Sequence, residues 1–234
     1  MKLPRPVVDA FRGPQLKATI ILFASSLILI TWKYGCSEAF YARYFGELFG
    51  PIDAAAAVYQ FIGCLVLMGL VPALIVKLVF CQRLADYGIS LGDKAWGLVA
   101  LLLLTPVFVL AAWWSSDDPA MLQKFPLNPR AGQSSTMFTI HAASYLMFYV
   151  GWEFYFRGFM LFGLRTSLGD ANAVLIQTLA SALLHIGSPA AETFGAILGG
   201  LLWGMLALRL RSLLSGLAQH YVLGIALDAF ICFG

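Results

Sequence analysis

Seven long runs of apolar residues, set apart by short stretches of turn-forming residues, leave this chain few folds to choose from. The runs cover residues 18 to 33, 54 to 80, 95 to 114, 136 to 164, 171 to 186, 192 to 210 and 212 to 233. Most approach or exceed the ~20 residues that a helix needs to cross a bilayer. Between them stand Gly50-Pro51, the segment from Tyr87 to Asp93, the segment from Pro119 to Pro129, Leu168-Gly169-Asp170 and Gly187-Ser188-Pro189, which are rich in turn-forming residues. Only 12% of the residues are charged and 60% are hydrophobic, with a mean hydropathy of +0.82; soluble domains are roughly one-quarter charged. The expected fold class is therefore all-α, a polytopic bundle of about seven transmembrane helices, about six to eight at the limits. A chain of 234 residues leaves no room for a sizeable soluble domain beside such a bundle, so function must sit inside it.

With the N-terminus placed inside, Lys2, Arg5, Arg12, Lys17, Lys77, Arg83, Lys94, Arg165, Arg209 and Arg211 fall on one side and Lys33, Arg43, Lys124 and Arg130 on the other. That surplus obeys the positive-inside rule. It also accounts for the net charge of +3 without calling on nucleic acid as a partner; the lipid bilayer is the expected surrounding. Residues 1–17 are expected to be a cytoplasmic basic arm. The first apolar run is short and follows a basic start, as in a signal peptide, but no A-x-A site follows it, so a retained helix is expected. Cys36, Cys64, Cys81 and Cys232 show no C-x-x-C spacing and suggest neither a disulfide framework nor a thiolate metal site. No internal repeat of the transporter kind is evident.

Within the fourth run, GWEFYFRG (Gly151 to Gly158) places Glu153 and Arg157 one turn apart. Side chains at i and i+4 share a face, so the two can pair. An ionisable group in hydrocarbon costs several kcal/mol unless partnered, and those that persist usually mark a pathway or reaction centre. Arg157 is placed to keep Glu153 in the charged form that can take a proton from water; a neutralised pair that only fixes helix register is the competing reading. Thr178, Ser181 and His185 draw a polar stripe on the fifth run. On the seventh run, His220 is flanked at one-turn intervals by Gly216 and Gly224, and Asp228 follows. Gly195, Gly199, Gly200 and Gly204 on the sixth read as a packing stripe, and Glu192 as a charge favoured at a helix N-terminus.

Depth brings three of these together. At a 1.5 Å rise per residue from the inner helix ends, His220 lies roughly 12 Å deep, Glu153 about 16 Å and His185 about 21 Å, with Asp228 and Glu192 at about 24 Å in a second polar layer. One carboxylate and two imidazoles in a wet pocket suit hydrolysis, with a base to orient water and an imidazole to stabilise an oxyanion. The same three, Glu153, His185 and His220, could instead hold a divalent metal such as zinc. Spacing does not choose, since no H-E-x-x-H helix is present.

These residues resemble the CAAX prenyl endopeptidase and bacteriocin-processing (CPBP, or ABI) family of intramembrane proteases. The likeness covers about residues 84 to 230 and rests on LADYGISLGD (Leu84 to Asp93), GWEFYFRGFMLFGL (Gly151 to Leu164), the His185 segment and His220. It implies that Glu153 and His185 activate water, that Arg157 supports the glutamate and that His220 assists transition-state charge. It divides the chain into the arm 1–17, N-terminal transmembrane helices over 18–83 and a protease core over 84–234. The family's usual motif begins with two glutamates, and here Trp152 takes the first place; Ser181 stands where phenylalanine is common, and Gly224 where a polar residue follows the last histidine, with Asp228 on the same face as a substitute. The run from His185 to Glu192 and Leu208 to Ser212 resembles a bacterial branch with a single glutamate, which implies the bacterial inner membrane as its location. The expected activity is endopeptidase cleavage of a hydrophobic or membrane-anchored peptide or protein. The alternative is a non-catalytic immunity factor or scaffold of the same fold.

Overall fold

The computed structural model describes residues 13–234; Lys2, Arg5, Arg12 and most of the expected 1–17 arm lie outside the described residues. Among the described residues the fold is all-helical, with nine α-helices: α1 (Gly13–Gly35), α2 (Glu38–Tyr44), α3 (Ile52–Val79), α4 (Lys94–Ser115), α5 (Pro119–Lys124), α6 (135–168), α7 (Asp170–Leu184), α8 (Ala190–Leu210) and α9 (Leu214–Phe233). Seven of them coincide with the seven apolar runs to within a few residues. Five, Gln15–Gly35 within α1 and the whole of α3, α4, α8 and α9, are long and apolar enough to cross a membrane, and the protein is an integral, multi-pass membrane protein.

Local chemistry sets the helix ends. Ser37, Asp93, Asp118 and Ser134 each accept a backbone N–H of the first turn, closing the start of α2, α4, α5 and α6. Neither α3 nor α6 is regular: α3 contains π-helical turns at Leu65–Leu70 and Ile75–Val79, and α6 one at Phe154–Phe162.

Helix α6 is the axis of the bundle. Every residue from Gly151 to Leu164 is buried, as expected for a helix enclosed on all sides. By contrast α4 turns Leu102, Leu103, Val107, Leu110 and Trp114 outward, the surface that lipid would cover. Glycine lets α3 reach the axis. A Cβ at Gly151 would stand 2.6 Å from the Cys64 carbonyl oxygen and 3.0 Å from Leu65 Cα, so the two backbones touch where α3 crosses α6. Small residues do the same between α7 and α8, where Gly200 lies against Thr178 and Gly204 against Gln177; the stripe is a packing surface.

The segment Leu84 to Asp93 is a clamp on the α8–α9 turn. Leu213 N–H donates to Gly88 O and Asp93 N–H to Leu210 O, both at 3.0 Å; Ser212 Oγ donates to Ser90 O and Ser90 Oγ to Arg211 O, both at 2.6 Å. Gly92, at φ +55°, passes so close to the Leu210 carbonyl that no side chain fits there. Asp93 also pairs with Arg209 at 3.0 Å, and the Trp96 amide it caps, followed by that arginine, holds its carboxyl below the usual range. Farther along, Ser215 Oγ donates to Gly97 O and Gln219 Nε2 to Ala100 O, fixing the height of α9, and with it His220, against α4.

Gly151→Val should lower the thermal midpoint of the detergent-solubilised protein, with a cost of about 1–3 kcal/mol typical of overpacking; an unchanged midpoint would show that α3 can retreat freely from α6.

Candidate functional site

Glu153 and Arg157 sit where α6 passes into its π-helical turn, a departure from α-geometry that recurs at functional sites. Both side chains are 2% exposed, with Arg157 Nη1 3.1 Å from Glu153 Oε1. The approach lies outside hydrogen-bond geometry, and Arg157 Nε and Nη1 have no acceptor among the described residues. The guanidinium instead rests over the Trp203 ring at 5.5 Å, a cation–π contact in a buried setting. The same carboxylate oxygen, Oε1, accepts from His220 Nδ1 at 2.7 Å.

His220 is held on both faces. Trp203 stacks on it with ring centroids 4.2 Å apart, and Tyr149 meets it edge-on at 4.8 Å. Trp203 is itself pinned by its indole N–H to Gln219 Oε1 at 3.0 Å. Gly224 makes room for Tyr149: a side chain at 224 would run into the Tyr149 hydroxyl. Gly216 packs beside Glu153 Oε2 and Trp203, where a Cβ would stand 3.6–3.7 Å from them. His220 nevertheless remains 18% exposed.

His185 closes α7. Its Nδ1 lies 2.8 Å from the Ser181 carbonyl oxygen, which can only accept, so this nitrogen carries the proton and Nε2 keeps its lone pair. The ring stands edge-on to Trp152 at 5.5 Å. Trp152, in the place of the family's first glutamate, is 3% exposed and stacks on Phe148 at 5.2 Å, and its indole N–H has no partner among the described residues. Nε2 of His185 faces Glu192 Oε1 at 3.7 Å, and Glu192 is bound by Lys124 of α5.

The structure thus joins Glu153, Arg157 and His220 directly and leaves His185 against Trp152, with no hydrogen bond to Glu153. Two expectations need correction. Asp228 does not stand in for a polar residue at 224: it is fully buried and bonds His141 Nε2 at 2.7 Å. Nor do Asp228 and Glu192 form one layer; each has its own partner. Among the described residues no group of three His, Cys, Asp or Glu side chains is placed to hold a metal ion, so Glu153, His185 and His220 do not stand together as one ligand set.

Sequence reasoning missed His141, Tyr149, Trp203, Gln219 and Lys124. For His141 a signal existed: it lies about 9 Å from the start of α6, and Asp228 about 8 Å from the end of α9 on the same face. The aromatic residues gave none, since a ring in an apolar run reads as core.

Residues 134–226 match the family model described as Rce1-like, type II CAAX prenyl endopeptidase. This segment, about two-fifths of the chain, is similar to that family of proteases. It spans most of α6 through α9 and contains Glu153, Arg157, His185, Glu192 and His220, which supports the likeness drawn from the motifs. No curated protein and no solved structure matches the chain significantly.

Replacing His141 by Phe or Asp228 by Leu alone should each cost about 3 kcal/mol, since a lone buried partner is left, whereas the double substitution should recover most of it. Unfolding midpoints of the three variants measure the coupling, and additive losses would show that the pair does not act as a unit.

Proposed function

We propose that the chain is an intramembrane endopeptidase that hydrolyses a peptide bond of a hydrophobic or membrane-anchored substrate between His185 and His220. One observation carries this reading: both imidazoles are tied through Nδ1, His220 to the Glu153 carboxylate and His185 to the Ser181 carbonyl. Both Nε2 atoms are left for a reacting group. His185, with a lone pair on Nε2, suits the general base that takes a proton from water. His220 suits a donor to the oxyanion that forms on the substrate carbonyl in its protonated form, in which Nδ1–H stays on the Glu153 carboxylate that balances the charge and Nε2–H is free to donate, and the Tyr149 hydroxyl beside Gly224 supplies a second polar group there. Arg157 balances Glu153, so that this carboxylate positions His220; sharing water activation with His185, the role first expected of Glu153, has less support because its Oε1 is already committed.

A metal-assisted variant is not supported by the donor arrangement. The substrate class in the family's name, a prenylated C-terminal Cys-aliphatic-aliphatic-X tail, is the natural first probe, and the bacterial cytoplasmic membrane is the setting that the motif likeness implies. A non-catalytic scaffold has less in its favour, because a cluster that only packed would have no use for two imidazoles with uncommitted Nε2 atoms.

In proteoliposomes with an internally quenched prenylated Cys-aliphatic-aliphatic-X peptide, His185→Gln and His220→Gln should each lower the cleavage rate about 100-fold or more. Glu153→Gln should act through His220 and fall in the same range. Wild-type rates in all three folded variants would end the hydrolase assignment.

A further inference from the structure

Trp152 fills the place from which a glutamate would face His185, and Glu153 is committed to His220 and Arg157. His185 therefore needs its carboxylate from elsewhere in the fold. The one that faces it is Glu192, in the first turn of α8, with Oε1 3.7 Å from His185 Nε2. The two side chains are 20% and 17% exposed, whereas Glu153 is 2% exposed, so this pair is less enclosed by protein.

The hydrogen-bond inventory decides what sits between them. His185 Nδ1 donates to Ser181, which leaves Nε2 an acceptor; a carboxylate oxygen also only accepts. Two acceptors at 3.7 Å do not bond each other. A molecule with two protons satisfies both, and a water about 2.8 Å from each points one O–H at Nε2 and the other at Oε1, with its lone pairs turned away. We infer that Glu192 and His185 together hold and activate the hydrolytic water, Glu192 supplying from α8 the carboxylate that Trp152 displaces from α6; this rests on the hydrolase reading above.

The surroundings are built for that role. Lys124 Nζ donates to both oxygens of Glu192, at 2.7 and 2.6 Å, and to Ser188 Oγ at 2.7 Å, which fixes the carboxylate plane. Thr193 Oγ1 and the Ser188 amide both donate to the His185 carbonyl at 2.9 Å, locking the α7–α8 turn that carries both groups. Lys124 also lines a cavity of about 470 Å³ with Glu38, Gln60 and Gln123, which reaches the cation that binds Glu192.

In the step, one O–H bond of the water breaks and its proton passes to His185 Nε2. The oxygen forms the new C–O bond as the carbonyl π pair moves onto the substrate oxygen. On collapse the C–N bond breaks, and the leaving nitrogen takes the proton back from His185. An acid and an amine result.

The test uses full-length protein in proteoliposomes and the same internally quenched prenylated peptide. Glu192→Gln should lower kcat about 100-fold or more with little change in KM, and Glu192→Asp should restore part of it. Lys124→Met breaks the same ion pair but keeps the carboxylate, and should cost less than about tenfold. Wild-type kcat in Glu192→Gln, with His185→Gln and His220→Gln inactive, would overturn the role of Glu192 alone. Equal losses in Glu192→Gln and Lys124→Met, with thermal midpoints falling together, would overturn it in favour of a structural pair. Wild-type rates in the histidine variants as well would overturn the hydrolase reading itself.

Discussion

Burying an arginine and a glutamate in the centre of α6 is the constraint on which the rest of the bundle depends. Neither ion can face lipid, so the neighbouring helices must enclose α6 through the whole of its π-helical turn. The sequence supplies what that requires: glycine at 151 brings α3 into backbone contact, and Trp203 of α8 covers the guanidinium. Well-packed apolar residues in place of such a pair often give equal or greater stability, whereas removing one partner costs about 3–5 kcal/mol. The pair is thus a poor source of stability and a strong fixer of geometry. What it fixes is the position of Oε1, and Oε1 fixes His220.

The all-helical architecture was legible because crossing a bilayer demands about 20 apolar residues: each apolar run became a helix, and five of the helices are long and apolar enough to cross. The helix starts at Asp93, Asp118 and Ser134, whose side chains accept first-turn N–H groups, are details that the apolar runs alone did not mark. The π-helical turns were not legible, since residues 154–162 read equally well at a period of 3.6 and only packing against neighbours widens the turn.

The site was legible in part for a related reason. Depth depends only on residue count, so it aligned Glu153 with His220 correctly. Depth carries no azimuth, and His185, at a comparable level, turns out to face Trp152 and Glu192 instead. The partners that depth alone did not find are those whose pairing runs across helices: Lys124 with Glu192, 68 residues away, and Gln219 with Trp203. Periodicity describes one helix at a time, and these contacts are properties of two or three.

Two of the three departures from the family's motif, at 152 and 224, lie where an aromatic ring takes the space of a polar group; Ser181 is the exception. At 152 an indole stands for a carboxylate, and at 224 the missing side chain leaves room that the Tyr149 phenol fills. An enzyme drifting to inactivity would be expected to lose the acceptors and donors along with the residues. Here a carboxylate oxygen lies 3.7 Å from His185, and a hydroxyl stands in the vacated space beside His220. The same functional groups are present on different helices, and the chemistry asks only for the groups: a proton on water is drawn by whatever acceptors lie within reach, not by the helix that carries them.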